Sequence, residues 1–158
     1  MTTWVFGDNL DTDMLAPGKY MKFGIEEIAK HCLESIDKDF ASQVKSGDVV
    51  VAGKNFGCGS SREQAPEALR LLGVSALVAP SFAGLFYRNC FNLGLPAVVC
   101  GEAAKIRQGD ELKIDFAGKI ENVTKGETYS CEPMPEHLQT LVRDGGLLPH
   151  LEKRLKRA

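Results

Sequence analysis

Between Asp48 and Val99 the chain alternates short apolar runs with helical periods, and this alternation restricts the fold more than any other feature. Asp48-Val49-Val50-Val51-Ala52 is a β-branched run bounded by Gly47 and Gly53, which predicts a buried strand. After a glycine-rich segment, Glu67-Ala68-Leu69-Arg70-Leu71-Leu72 is helical in character and stops at Gly73. Ala76-Leu77-Val78-Ala79 is a second strand. Ser81 is placed to cap a helix running to about Asn92, with Phe82, Leu85, Phe86 and Asn89 at helical spacing. Gly94 ends it, and Ala97-Val98-Val99 is the third strand. Strand, helix, strand, helix, strand is a parallel α/β unit with right-handed crossovers, and such units meet ligands at the carboxyl ends of their strands.

The flanks are less regular. Trp4-Val5-Phe6 is a strand leading into an Asx-rich turn. Asp110 to Phe116 and Glu127 to Cys131 are expected to pair as strands around a turn containing Gly118. Pro135 opens a helix through Leu141 and Val142, halted by Gly145-Gly146, and a basic tail runs from Lys153 to Arg157. With 158 residues, 44% of them hydrophobic, one compact core is the expectation, with residues 1–158 forming a single domain.

A net charge of -2 gives no reason to expect nucleic acid or a membrane as the partner. No apolar run approaches the roughly 20 residues that span a bilayer. Met1-Thr2-Thr3-Trp4 lacks the basic and apolar regions of a signal peptide, so a cytoplasmic location is expected. The five cysteines, Cys32, Cys58, Cys90, Cys100 and Cys131, include no Cys-x-x-Cys pair, and His31, His137 and His150 are scattered. Neither a disulfide framework nor a metal site within this chain is expected.

The glycine-rich segment Gly53-Lys54-Asn55-Phe56-Gly57-Cys58-Gly59-Ser60-Ser61-Arg62-Glu63 falls at a strand's ligand end. Its glycines let the backbone approach a bound group closely. Ser60 and Glu63 have capping-box spacing, which predicts a helix start near Ser60 or Ser61 with free N–H groups facing an anion. Arg62 adds a planar fork suited to a carboxylate. Pro66 conflicts with that start: either the first turn is tight or kinked, or the regular helix begins at Pro66. A P-loop is excluded, because Lys54 follows the first glycine instead of closing the loop, and G-x-G-x-x-G fails at Arg62. Asn9, Asp11 and Asp13 alternate like a calcium loop, but Met14 and Tyr20 stand where an EF-hand needs glycine and glutamate.

The stretch Asn55-Phe56-Gly57-Cys58-Gly59-Ser60-Ser61-Arg62-Glu63-Gln64-Ala65-Pro66 resembles the signature of isopropylmalate isomerase small subunits, which are related to the swivelling fourth domain of aconitase. Gly7-Asp8-Asn9-Leu10-Asp11-Thr12-Asp13, Phe86-Tyr87-Arg88-Asn89, Gly94-Leu95-Pro96 and Asp144-Gly145-Gly146-Leu147-Leu148 extend the resemblance along nearly the whole chain. Gln64 departs from it, since histidine is more usual there.

The resemblance implies a swivelling β/β/α domain with a parallel βαβαβ core, closing over a larger subunit that carries a [4Fe-4S] cluster. It implies elimination and re-addition of water on a hydroxy di- or tricarboxylate: conversion of 3-isopropylmalate to 2-isopropylmalate in leucine biosynthesis or, alternatively, a homoaconitase or an alkylmalate dehydratase such as dimethylmalate dehydratase. It assigns Ser60 as the base, Ser61 and Arg62 as carboxylate ligands, and Asp13 as an active-site aspartate that orients a histidine of the larger part. It also puts a substrate-sorting loop at Tyr20-Met21-Lys22-Phe23, where Lys22 would favour an additional carboxylate. The residues alone leave two rivals: a non-catalytic anion-binding or regulatory module, and a nucleotide-binding domain. Cys58 is expected to fill a tight turn, and Arg88 to make a structural ion pair.

Overall fold

The computed structural model describes residues 2–157. Strands β1 (Thr3–Val5), β2 (Val49–Val51), β3 (Ala76–Ala79) and β4 (Ala97–Val99) form one sheet in the order β1-β2-β3-β4, and every pairing is parallel. Val50 lies opposite Trp4 and Leu77, and Leu77 opposite Ala97. β2 and β3 are buried along their whole length, as expected of parallel strands covered on both faces.

Four short elements fill the connection from β1 to β2. They are α1 (Thr12–Leu15), a 3-10 helix at Gly18–Phe23, α2 (Ile25–Lys30) and α3 (Phe40–Gln43). Crossovers α4 (Gln64–Leu71) and α5 (Gly84–Asn92) follow β2 and β3, and they bury Ala65, Ala68, Leu69, Phe86, Cys90 and Phe91. The sequence pattern thus delivers the βαβαβ core, and the structure adds β1 beside β2.

The second sheet is an antiparallel meander of β5 (Leu112–Asp115), β6 (Lys119–Asn122) and β7 (Glu127–Ser130). This corrects the expectation of two directly paired strands. β6 lies between them, so the segments around Asp110–Phe116 and Glu127–Cys131 each pair with β6 instead of each other. β6 alternates exposed and buried positions, with Ile120 and Asn122 inward.

The Asn122 amide donates to Asp110 Oδ2 at 2.9 Å and to Tyr129 Oη at 3.2 Å, while Thr3 Oγ1 donates to the Asp110 carbonyl. This network joins the two sheets without leaving a buried side-chain polar atom unpaired among the described residues. Helices α6 (Glu136–Asp144) and α7 (Leu147–Arg157) close the chain, separated by Gly145 in the left-handed conformation at φ 87°. Among the described residues no helix is long and apolar enough to cross a membrane, and all five cysteines are free.

Two helix starts differ from expectation. α4 begins at Gln64, with Glu63 as its cap residue and no side-chain capping bond, so Ser60 and Ser61 precede the helix. Pro66 then falls in the first turn, where its missing N–H removes no helical bond. α5 begins at Gly84 and not beside Ser81, because the Ser81 hydroxyl is engaged by the Asn55 N–H at 2.8 Å. Phe82 forms a parallel bridge to Phe56 in place of a helical turn.

Candidate active site

Two loops at the carboxyl ends of β1 and β2 zip together through their main chains. Asn9 N–H donates to the Lys54 carbonyl at 2.8 Å, Gly57 N–H to Leu10 at 2.7 Å, and Thr12 N–H to Cys58 at 2.9 Å. The Lys54 N–H in turn donates to Asp8 Oδ1 at 2.7 Å. Gly57 sits at φ 86°, and a side chain there would collide with the Phe86 ring. Phe86 and Phe82 stack on the buried Phe56, with centroids 5.2 and 5.4 Å away. Close ring packing under a glycine turn anchors the loop from below, and its tip, Gly59 to Ser61, is exposed.

Ser60 does not cap a helix, as its sequence spacing with Glu63 predicts. Its N–H donates to Thr12 Oγ1 at 3.1 Å, and its Oγ lies 3.2 Å from the same oxygen. Thr12 is 2% exposed, so this buried hydroxyl orients a surface serine from beneath. The sequence reading missed Thr12 as a site residue, because no local pattern links it to a serine 48 positions away. Ser61 is exposed, and its carbonyl accepts from the Asn89 amide at 3.3 Å, a further partner the sequence reading did not assign.

Arg62 turns back across the loop. Its Nη1 donates to Asp13 Oδ1 at 2.9 Å and to the Ala16 carbonyl at 3.1 Å. Nη2 makes no hydrogen bond among the described residues. The same Asp13 oxygen accepts the Gly18 N–H at 3.0 Å. The Arg62 bond and then the Gly18 bond hold the Asp13 carboxyl below its ordinary value, and Asp13 stays largely exposed. Asp13 therefore partners Arg62 within this chain, in addition to any group it meets across a subunit boundary. Asp11 caps α1 by accepting the Met14 N–H at 2.8 Å, which gives it a structural role.

Asp13 and Gly18 also wall a cleft of about 590 Å3, bordered by Lys19, Glu34 and Lys38. That volume suits a small organic acid. Lys22 makes no hydrogen bond or ion pair with Ser60, Arg62 or Asp13; it is exposed on the 3-10 turn with its ammonium 5.2 Å from the Phe23 ring centroid. Cys58 is half-buried in the turn, as expected of a small residue fitted there. Arg88 is exposed on α5 and makes no ion pair among the described residues, contrary to expectation, because no carboxylate comes within reach. Among the described residues no three His, Cys, Asp or Glu side chains gather in a way that would hold a metal ion.

Comparison with known proteins agrees with this architecture. The family model described as the aconitase C-terminal domain matches residues 10–101. The 3-isopropylmalate dehydratase small subunit of Caldicellulosiruptor bescii is 49% identical over 153 residues, covering 95% of this chain and 92% of that protein. The methanogen homoaconitase small subunit of Methanothermobacter thermautotrophicus is also 49% identical, over 152 residues, with 95% and 88% covered. The crystal structure of a 3-isopropylmalate dehydratase from Methanocaldococcus jannaschii superposes with a TM-score of 0.91 at 42% identity, covering 97% of this chain and 92% of that one. The chain belongs to the aconitase C-terminal-domain family, within its branch of hydro-lyase small subunits.

Proposed function

We propose that this chain supplies the proton-transfer half of an active site completed by a large subunit, and that the pair interconverts 3-isopropylmalate and 2-isopropylmalate on the way to leucine. The observation that carries the reading is the grouping of Ser60, Ser61 and Arg62, on a loop anchored from below, with Asp13 of α1. Groups that act on a substrate held by another polypeptide must be both exposed and preorganised.

Ser60 Oγ takes the proton from the carbon next to a carboxylate. Its position supports that role: Thr12 Oγ1 already accepts the Ser60 N–H, and its own proton can be donated to Ser60 Oγ, where it stabilises the alkoxide. Ser61 and the outer edge of the Arg62 guanidinium bind the substrate carboxylate, while Asp13 fixes the guanidinium plane. A [4Fe-4S] cluster carried by the large subunit would supply the Lewis acid that eases departure of the substrate hydroxyl.

One observation favours a second substrate reading. Lys22 carries an exposed ammonium with no carboxylate partner among the described residues, which would suit the extra carboxylate of a homoaconitate-type substrate. The homoaconitase relative is as similar in sequence as the isopropylmalate enzyme quoted above. The chain reconstituted with its large iron–sulfur subunit should be assayed on 3-isopropylmalate, dimethylmalate and homoaconitate. A higher kcat/KM for 3-isopropylmalate supports the first reading and a preference for homoaconitate the second. No turnover of any of the three would overturn both.

A further inference from the structure

The cleft beside Asp13 is lined by Gly18 and Lys19 at the start of the 3-10 turn Gly18–Phe23, whose Tyr20 and Met21 pack against the core. A cluster of titratable side chains on α2 and the turn that follows holds the Tyr20 ring in place. The Tyr20 ring stacks on His31 with centroids 3.7 Å apart and planes 7° from parallel. His31 Nδ1 lies 2.6 Å from Glu34 Oε2, and Nε2 lies 3.2 Å from Glu27 Oε1. Tyr20 Oη donates to the other Glu34 oxygen at 3.1 Å.

Two lysines complete the ring of charges. Lys19 Nζ sits 5.2 Å from the Tyr20 centroid and 4.0 Å from Glu34 Oε1, and Lys30 Nζ sits 3.5 Å from Glu27. The cluster is also tied to the site. Leu33, fully buried and in the left-handed conformation at φ 61°, donates its N–H to the Met14 carbonyl at 2.8 Å, next to Asp13. A non-glycine residue held in that conformation marks a turn overdetermined by its surroundings. Here the turn brings Glu34 back against His31 and Tyr20.

We propose that His31 is a positioning residue for substrate: by clamping Tyr20 against α2 it holds the cleft wall and the turn bearing Lys22 in their binding geometry. Both ring nitrogens face carboxylate oxygens, and only the imidazolium donates at both. The Glu34 hydrogen bond above all pushes the His31 pKa above its ordinary value; burial opposes it next, and the Glu27 bond adds to the rise, while His31 in turn lowers both carboxylates. The sign follows. The contribution of His31 is complete below the ordinary histidine value and is lost as pH rises through the raised one. That of the carboxylates is present above their ordinary value and is lost as pH falls through the lowered ones. The clamp is therefore tightest between these limits and opens on the alkaline side, as pH rises through the raised His31 value.

The inference rests on the hydro-lyase reading for its substrate, so it is tested with one kinetic and one spectroscopic readout. In the reconstituted pair, KM for the preferred substrate should rise roughly fivefold as pH rises through the raised His31 value and the clamp opens, with kcat changed less than about twofold. His31→Phe keeps a ring for Tyr20 to stack on but removes the charge, and should show the high KM at every pH. Tyr20→Phe keeps the stack and the imidazolium, and should retain the pH dependence.

In the full chain, NMR should show the His31 imidazole titrating above its ordinary value, with the Tyr20 ring resonances following the same midpoint. A KM whose pH dependence is the same in His31→Phe as in the unaltered pair would overturn the proposal, as would Tyr20 resonances indifferent to His31 protonation. If the pair turns over no hydroxy acid, the functional reading fails, and the coupled His31 and Tyr20 titrations still decide whether the clamp exists.

Discussion

Replacing Gly57 with alanine strains the loop in two ways. The residue sits at φ 86°, where a Cβ costs about 1–2 kcal/mol. The added methyl would also come well inside 3.0 Å of three Phe86 atoms. Phe86 is 2% exposed and stacked on the fully buried Phe56, so it can yield only by disturbing the ring pair, an overpacking cost of about 1–3 kcal/mol. The combined loss is about 2–5 kcal/mol. In a chain of 158 residues that lowers Tm by about 4–20 °C. Thermal unfolding followed by circular dichroism measures it directly. Gly84→Ala is the control, because a Cβ there meets nothing within 4 Å and φ is ordinary; its Tm should stay the same or rise slightly. A Gly57→Ala chain melting within about 1 °C of the unaltered one would refute the claim that the loop is clamped onto the Phe56–Phe86 pair.

Three further outcomes are expected of the site. Thr12→Val should lower kcat of the reconstituted pair on the order of 10²-fold with little change in KM, since it removes the donor beneath Ser60; unchanged kcat in steady-state assays would remove that role. Arg62→Lys should raise KM by about tenfold, because an ammonium cannot bond Asp13 and Ala16 while still presenting a flat edge to substrate; unaltered affinity by calorimetry would count against it. The Asp13 carboxyl should titrate below 3.8 by NMR and move back toward that value in Arg62→Gln; the stabilisation from this pair is present above the ordinary carboxylate value and lost as pH falls through the lowered one. A midpoint that ignores Arg62→Gln would show that the ion pair is not formed in solution.

The parallel core was legible because its strands carry their own evidence: Val49 to Val51, Ala76 to Ala79 and Ala97 to Val99 are apolar runs that glycines separate from helical periods. The exposed loop with Ser60, Ser61 and Arg62 was legible from glycine content and from its place after a strand. What was not legible depends on partners far away in sequence. Ser60 and Glu63 have capping-box spacing, but Thr12 supplies the bond to Ser60 and the helix starts at Gln64. Ser81 has the chemistry of a cap, yet its hydroxyl is engaged by Asn55. β6 offers a single aliphatic residue, Ile120, among charged and polar neighbours, too little to mark a strand until β5 and β7 flank it. The pairing of Asp13 with Arg62 spans 49 positions, and no local period encodes it.

The proposed chemistry requires Ser60 to act as the base. The decisive measurement is single-turnover kinetics of Ser60→Ala assembled with its large subunit, with the variant's circular dichroism and assembly checked against the unaltered chain. The expected result is normal folding and association with turnover reduced by about 10²–10⁴-fold. Near-normal turnover in that assembled variant would contradict the assignment and require the proton to leave through another group.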